Sequence, residues 1–149
     1  MIDVRVGTET EVESIVSFNR AMAWETEKKE LPEQTVTDGV RGLLARSDLG
    51  FYLVAISEGR PVGCLLVTYE WSDWRNAVWW WVQSVYVVPE FRGKGLYKLL
   101  YSEVRRLAKE KSGVCGFRLY VEKENTRAQQ IYEHLGMREA PYLMFEETL

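Results

Sequence analysis

With 149 residues, 46% of them hydrophobic and 28% charged, the chain has the size and make-up of one globular domain able to bury an ordinary core. No stretch approaches the ~20 apolar residues that cross a bilayer, and a net charge of −3 with a pI near 5.4 argues against a general nucleic-acid binder, which needs a basic face. A single cytoplasmic domain spanning 1–149, with no membrane or nucleic-acid partner, is the expectation.

Met1–Arg5 lacks the apolar segment that follows a basic start in a signal peptide. Instead Ile2, Val4 and Val6 alternate with polar residues as in a first strand, and Thr8-Glu9-Thr10-Glu11 has the form of a helix start. The helix behind it is expected to bury Val12, Ile15, Val16 and Met22. Pro32 opens a second helix, with Val36, Val40, Leu43 and Leu44 at helical spacing.

Phe51–Ile56 reads as strand two, and Glu58-Gly59-Arg60-Pro61 as the turn of a hairpin into Val62–Tyr69. A further turn at Asp73-Trp74-Arg75-Asn76 leads into Val78–Val88, giving an antiparallel meander of strands two to four. A long amphipathic helix over Leu96–Lys111 follows, with Leu96, Leu99, Leu100, Val104 and Leu107 on its apolar face. Phe117–Val121 is the expected fifth strand, parallel to the fourth because a helix joins them. Asn125 can cap a last helix that Gly136 can end, and Pro141–Phe145 offers a short closing strand. Cys64 and Cys115 lie in apolar runs and read as small buried hydrophobes; two cysteines with no neighbouring histidine make no zinc site, so no metal is expected.

The most informative segment is Arg92-Gly93-Lys94-Gly95, which follows the apolar run Val85-Tyr86-Val87-Val88-Pro89 and opens the long helix. A strand entering a glycine-rich turn and then a helix presents several backbone N–H groups at one point, together with the positive end of the helix dipole. Glycines at 93 and 95 remove the Cβ atoms that would hold a phosphate off the backbone, while Arg92 and Lys94 add charge. By itself such a turn is common and most examples bind nothing.

A second motif, Asn125 to Met137 with Asn125, Ala128, Tyr132, Gly136 and Met137 as its markers, stands downstream of the first. The two at this spacing resemble the GCN5-related N-acetyltransferase family over roughly residues 50–140. The resemblance implies an α+β (α/β/α) fold with a mixed, mostly antiparallel sheet, parallel strands four and five that splay apart, and about four helices. It implies acetyl-CoA as co-substrate, its diphosphate on Arg92, Gly93, Lys94, Gly95, Leu96 and Tyr97, its pantetheine along the main chain of Val85, Tyr86 and Val87, with Asn125 and Ala128 also at the cofactor. Tyr97 departs from the family pattern, which has Gly or Ala there, so its ring must point aside or the cofactor path differ.

The same resemblance gives Tyr132 the role of protonating the departing CoA thiolate, against the alternative that it only packs its helix. An amine acceptor must also lose a proton, a deficit of roughly 4 kcal/mol at pH 7 for an alkyl ammonium. Some family members place a glutamate on strand four for this, where the present chain has Trp81, Gln83 and Ser84. Glu70 and Asp73 are the first-ranked carboxylates for the task, ahead of Glu25, Glu27 and Glu122, with an exposed hairpin tip of ordinary charges as the alternative reading. Trp71, Trp74, Trp81, Gln83 and Glu25 complete the expected acceptor site, an aromatic surface suited to a cationic partner. The acceptor is a small-molecule or peptide amine; pairing as a homodimer is left open. Two other readings compete with catalysis: a module that binds acyl-CoA as a regulator, and a fold repurposed for protein interaction.

Overall fold

The computed structural model describes residues 1–149, which divide into two compact units, 1–119 and 120–149. The first holds a five-stranded sheet in the order β1 (Ile2–Val6), β2 (Gly50–Ser57), β3 (Arg60–Ser72), β4 (Ala77–Val87) and β5 (Val114–Arg118). All neighbours are antiparallel except β4 and β5, which are parallel. Helices α1 (Val12–Glu27) and α2 (Glu33–Leu44) pack on one face of the sheet, where Val12, Ile15, Val16 and Val40 meet Tyr52, Val54 and Leu66. Strand alternation sends Phe51, Leu53, Val67 and Trp80 to the other face, which α3 (Leu96–Lys111) covers through Leu100, Tyr101 and Val104. No helix is long and apolar enough to cross a membrane.

The capping box read from Thr8 is present on a single 3-10 turn, Glu9–Glu11, that leads into α1. Glu11 is buried. Its carboxylate accepts from the Thr8 N–H at 2.8 Å and from the Arg5 guanidinium at 2.6 Å. Burial alone would raise its pKa; the hydrogen bonds from Thr8 and Arg5 outweigh that and hold it below the ordinary carboxylate value. A lowered pKa stabilises the fold above the unfolded carboxyl value, and the effect is lost as pH falls through the folded one. Glu11→Gln is therefore expected to lower stability by about 1.5–2 kcal/mol at pH 7, the low end for charge-assisted bonds because Arg5 is half exposed. Urea melts at pH 7 and at successively lower pH check this: the gap between the two proteins narrows as Glu11 of the parent becomes protonated.

The hairpin turn is as expected, Glu58 and Gly59 both taking positive φ between Ser57 and Arg60. Three expectations are corrected. The fifth strand begins earlier, because Ser112 and Gly113 reverse the chain at the end of α3 and the Gly113 carbonyl at once accepts from Val78 N–H. The inward face of α3 is an arc centred on Leu100 and Val104 that takes in Tyr101 and Ala108, leaving Leu99 41% exposed. Residues Pro141–Phe145 form no strand. In the second unit, α4 (Thr126–His134) is capped by the Asn125 side chain, which accepts from Ala128 N–H. It ends at Gly136, φ 96°, with Gly136 N–H bonded to the Glu133 carbonyl and Met137 N–H to that of Tyr132.

Candidate active site

The β4–β5 ladder stops at Trp81 paired with Arg118, whereas β4 runs on to Val87. β5 itself ends there, and the stretch Val82–Val87 continues with β3 as its one strand partner. This stretch carries a bulge. Gln83 pairs with Leu66 and Tyr86 with Cys64, so Ser84 and Val85 oppose Leu65 alone, and Ser84 takes φ 48°. The Cys64 thiol donates to the Ser84 carbonyl at 3.6 Å, and burial pushes its pKa up to about 12, so it is an inert prop for the bulge. Cys115 is only half-buried.

Past the bulge, Val88 N–H bonds the Val62 carbonyl on the β3 side. Strand alternation then turns the main-chain groups of Val87 and Val85 toward the edge that β5 leaves, and those of Tyr86 toward β3. The Tyr86 side chain also has another task. Its ring stacks on Phe18 of α1 at 5.3 Å and its hydroxyl donates to Glu25 at 2.8 Å.

The turn that follows has the shape needed for an anion. Gly93 and Gly95 have φ 73° and 79°, a region where a side chain is strained, and a Cβ built on either would meet no atom within 4 Å. Arg92 to Gly95 are exposed, and the first N–H groups of α3 have no partner within the helix. Gly63 lets Leu96 seat the helix start closely on β3: a Cβ there would lie 3.1 Å from the Leu96 side chain. Tyr97 stacks on Tyr101 at 6.0 Å, ring planes 21° apart, so it turns along the helix and stays out of the glycine turn. Lys94 lies over the Phe91 ring at 5.3 Å, and Arg92 donates from Nε to the Val87 carbonyl and from Nη2 to Glu25, each at 2.8 Å.

The three consecutive tryptophans of β4 separate by face. Trp80 is core, 2% exposed, against Phe51, Tyr69 and Phe117. Trp79 and Trp81 lie on the opposite face beside Thr68, Glu70 and Gln83. Glu70 accepts from Trp81 Nε1 at 2.8 Å and from Arg118 Nη1 at 2.9 Å, while the Arg118 guanidinium stacks over Trp79 at 4.0 Å and that of Arg75 at 4.9 Å. The Trp81 hydrogen bond, with the Arg118 charge behind it, holds the Glu70 carboxyl below its ordinary pKa despite partial burial. Gln83 donates to the Thr68 hydroxyl at 2.6 Å.

The expected acceptor residues thus fall into different places. Glu70, Trp81 and Gln83 share one sheet face. Glu25 is joined to Arg92, at the start of the glycine turn, instead. Trp71 and Trp74 are 61% and 88% exposed, and Asp73, between them in the chain, is exposed in the turn that joins β3 to β4. Gly116 escaped the sequence reading, although a glycine inside a strand pattern signals close approach: a Cβ on it would lie 2.5 Å from the Trp79 ring, so only glycine lets that ring lie across β5. In the second unit, burial raises the pKa of the Tyr132 phenol, and His134 is exposed with Nδ1 2.7 Å from the Gln130 carbonyl.

The sequence model of the acetyltransferase (GNAT) family matches residues 13–137, a span that crosses both units. Thialysine N-epsilon-acetyltransferase from Sus scrofa is 34% identical over 88 residues, 54% of this chain and 49% of that protein. The bovine enzyme of the same name is 32% identical over 101 residues, 60% of this chain and 57% of that protein. The chain thus spans about half the length of these curated relatives. Among solved structures, a possible acetyltransferase from Clostridium difficile 630 is 40% identical with a TM-score of 0.93, over 100% of this chain and 98% of that one. An aminoglycoside N-acetyltransferase in complex with CoA has a TM-score of 0.81 at 20% identity, over 99% of this chain and 95% of that one, a likeness of fold. With a family match across most of its length and a close structural relative covered end to end, the chain belongs to the GNAT acetyltransferase family.

Proposed function

We propose that residues 1–149 form one N-acetyltransferase domain that transfers the acetyl group of acetyl-CoA to a primary amine by direct attack. One observation carries this reading: the β4–β5 ladder ends at Trp81–Arg118 just where β4 continues into a glycine turn and a helix N-terminus. That wedge gives an extended thioester ligand main-chain partners on one side and a diphosphate seat at its end. The residues fit the cofactor, since both glycines hold left-handed φ with open space in front of them. Acetyl-CoA, when bound, supplies the activated acyl group.

The chain's own groups then divide the work. Backbone N–H groups of the turn and of Leu96 and Tyr97, with Lys94, hold the diphosphate. Main-chain N–H and C=O at Val85 and the N–H at Val87 orient the pantetheine amides, and an N–H among them polarises the thioester carbonyl, with no cost of reorganisation because the strand is already in place. Asn125 caps the start of α4 through Ala128 N–H, and the family resemblance assigns both residues to the cofactor. Tyr132 acts as general acid, its raised pKa keeping the phenol protonated at neutral pH. Glu70, Trp81 and Gln83 form the acceptor-facing surface, with Trp71, Trp74 and Asp73 at its rim. Trp81 and Arg118 both donate to Glu70 Oε1 and hold its carboxyl below the ordinary pKa, so Glu70 is better suited to orient an ammonium through Oε2 than to remove its proton. The thialysine and aminoglycoside enzymes among the relatives favour a small-molecule amine as acceptor.

Release of free CoA thiol from acetyl-CoA across a panel of polyamines, amino acids, aminoglycosides and peptides tests the reading. Amine-dependent, saturable release is expected. Acetyl-CoA binding without release for any amine would leave a binding module, and no binding a repurposed fold.

A further inference from the structure

Glu25, in the last turn of α1, is 67 residues from Arg92 in the chain, yet the two are joined at 2.8 Å. The carboxylate divides its oxygens: Oε2 accepts from the Tyr86 hydroxyl and Oε1 from Arg92 Nη2. Arg92 in turn donates from Nε to the Val87 carbonyl and lies over the Tyr86 ring at 5.3 Å, and Tyr86 stacks on Phe18. Two residues of α1, the end of β4 and the first residue of the glycine turn are thus tied by one closed set of contacts. Arginine is a long, flexible side chain, and fixing two of its nitrogens removes most of its rotamer freedom before any ligand arrives.

We infer that Glu25 is a positioning residue for the diphosphate turn, acting through Arg92 and Tyr86 and not on the acceptor amine. The inference rests on reading the Arg92–Gly95 turn as the acetyl-CoA diphosphate seat. Both carboxylate oxygens already accept a hydrogen bond, and the bond from Tyr86, with the Arg92 charge, holds the group below its ordinary pKa, which suits a strut and not a base. The ion pair also cancels the negative charge that an unpaired Glu25 would present to an anion. Anchoring Arg92 to the Val87 carbonyl fixes where the turn leaves β4, and so the direction of its amide hydrogens.

Calorimetric titration of the full chain with CoA and with pantetheine, which lacks the diphosphate, tests this. In Glu25→Ala the Kd for CoA is expected to rise about tenfold while that for pantetheine stays unchanged. Glu25→Gln keeps one acceptor for Arg92 and can donate its amide to the Tyr86 oxygen, so a rise of two- to threefold is expected, as for Tyr86→Phe, which retains the ring stack. These milder variants carry the test if the alanine protein is unfolded by circular dichroism. Unchanged or tighter CoA binding across the variants overturns the inference, as does an equal loss for CoA and pantetheine. A wild-type protein that binds neither ligand overturns the functional reading as well.

Discussion

Gly95→Ala is expected to weaken CoA binding by about 10–100-fold and to lower the melting temperature by a few degrees. Gly95 sits at φ 79° as the residue preceding the first turn of α3. An alanine held there is destabilised by about 1–2 kcal/mol through contact of its Cβ with the following carbonyl. For a chain of this length that corresponds to roughly 2–8 °C. The turn can escape the strain by rotating to negative φ, which swings its peptide N–H away from the common point where the turn and helix amides converge. Losing one charge-assisted hydrogen bond, about 1.5–3 kcal/mol, gives the loss of affinity.

Gly59→Ala is the control, since Gly59 has φ 76° and equally open surroundings in the β2–β3 hairpin. It carries the same strain and is expected to lose similar stability with CoA affinity unchanged. Calorimetric Kd values and thermal melts on both variants check the pair. If Gly95→Ala binds CoA as the wild type does, the diphosphate does not rest on this turn.

The local features were legible because they depend on a few neighbouring residues. Thr8 with Glu11, Glu58-Gly59, Asn125 and Gly136 each act through backbone groups within a few positions, so their roles follow from chain order alone. The start of α3 was legible for the same reason: two glycines between a strand pattern and a helical pattern mark the turn that joins them. Harder to read was the bulge at Ser84, where no glycine or proline marks the left-handed residue and the register of β3 imposes it. The same applies to partners distant in sequence. Glu70 gives no sign in the sequence of Arg118, its partner 48 residues on across the sheet, nor Glu25 of Arg92, 67 residues on. Charge pairing of this kind depends on tertiary register, which a single sequence does not display. The Trp79–Trp81 run was half legible: period-two alternation requires the three to divide between faces, but which face α3 covers depends on the packing of Tyr101 and Phe117.

Tyr132→Phe is expected to lower kcat by about 10²–10⁴-fold, with the KM for acetyl-CoA within about twofold of the wild type. The substitution removes one oxygen and keeps the ring, so the contacts that α4 makes through that ring are retained and the fold is expected to survive; Asn125 and the Gly136 terminus still hold the helix ends. What is lost is a proton donor. A thiolate leaving in a dry cleft is a stronger base than in water, so a phenol can transfer its proton there with little uphill cost. The pH profile supplies a second readout. Burial raises the phenol pKa, so the protonated, donating form persists through neutral pH, and activity that depends on it falls only as pH climbs past the ordinary phenol value. In the phenylalanine variant the residual rate shows no such alkaline limb. Thiol release measured from pH 6 to above pH 10 on both proteins separates the roles: a variant with wild-type kcat and the same alkaline limb assigns Tyr132 to packing and hands protonation of the thiolate to water.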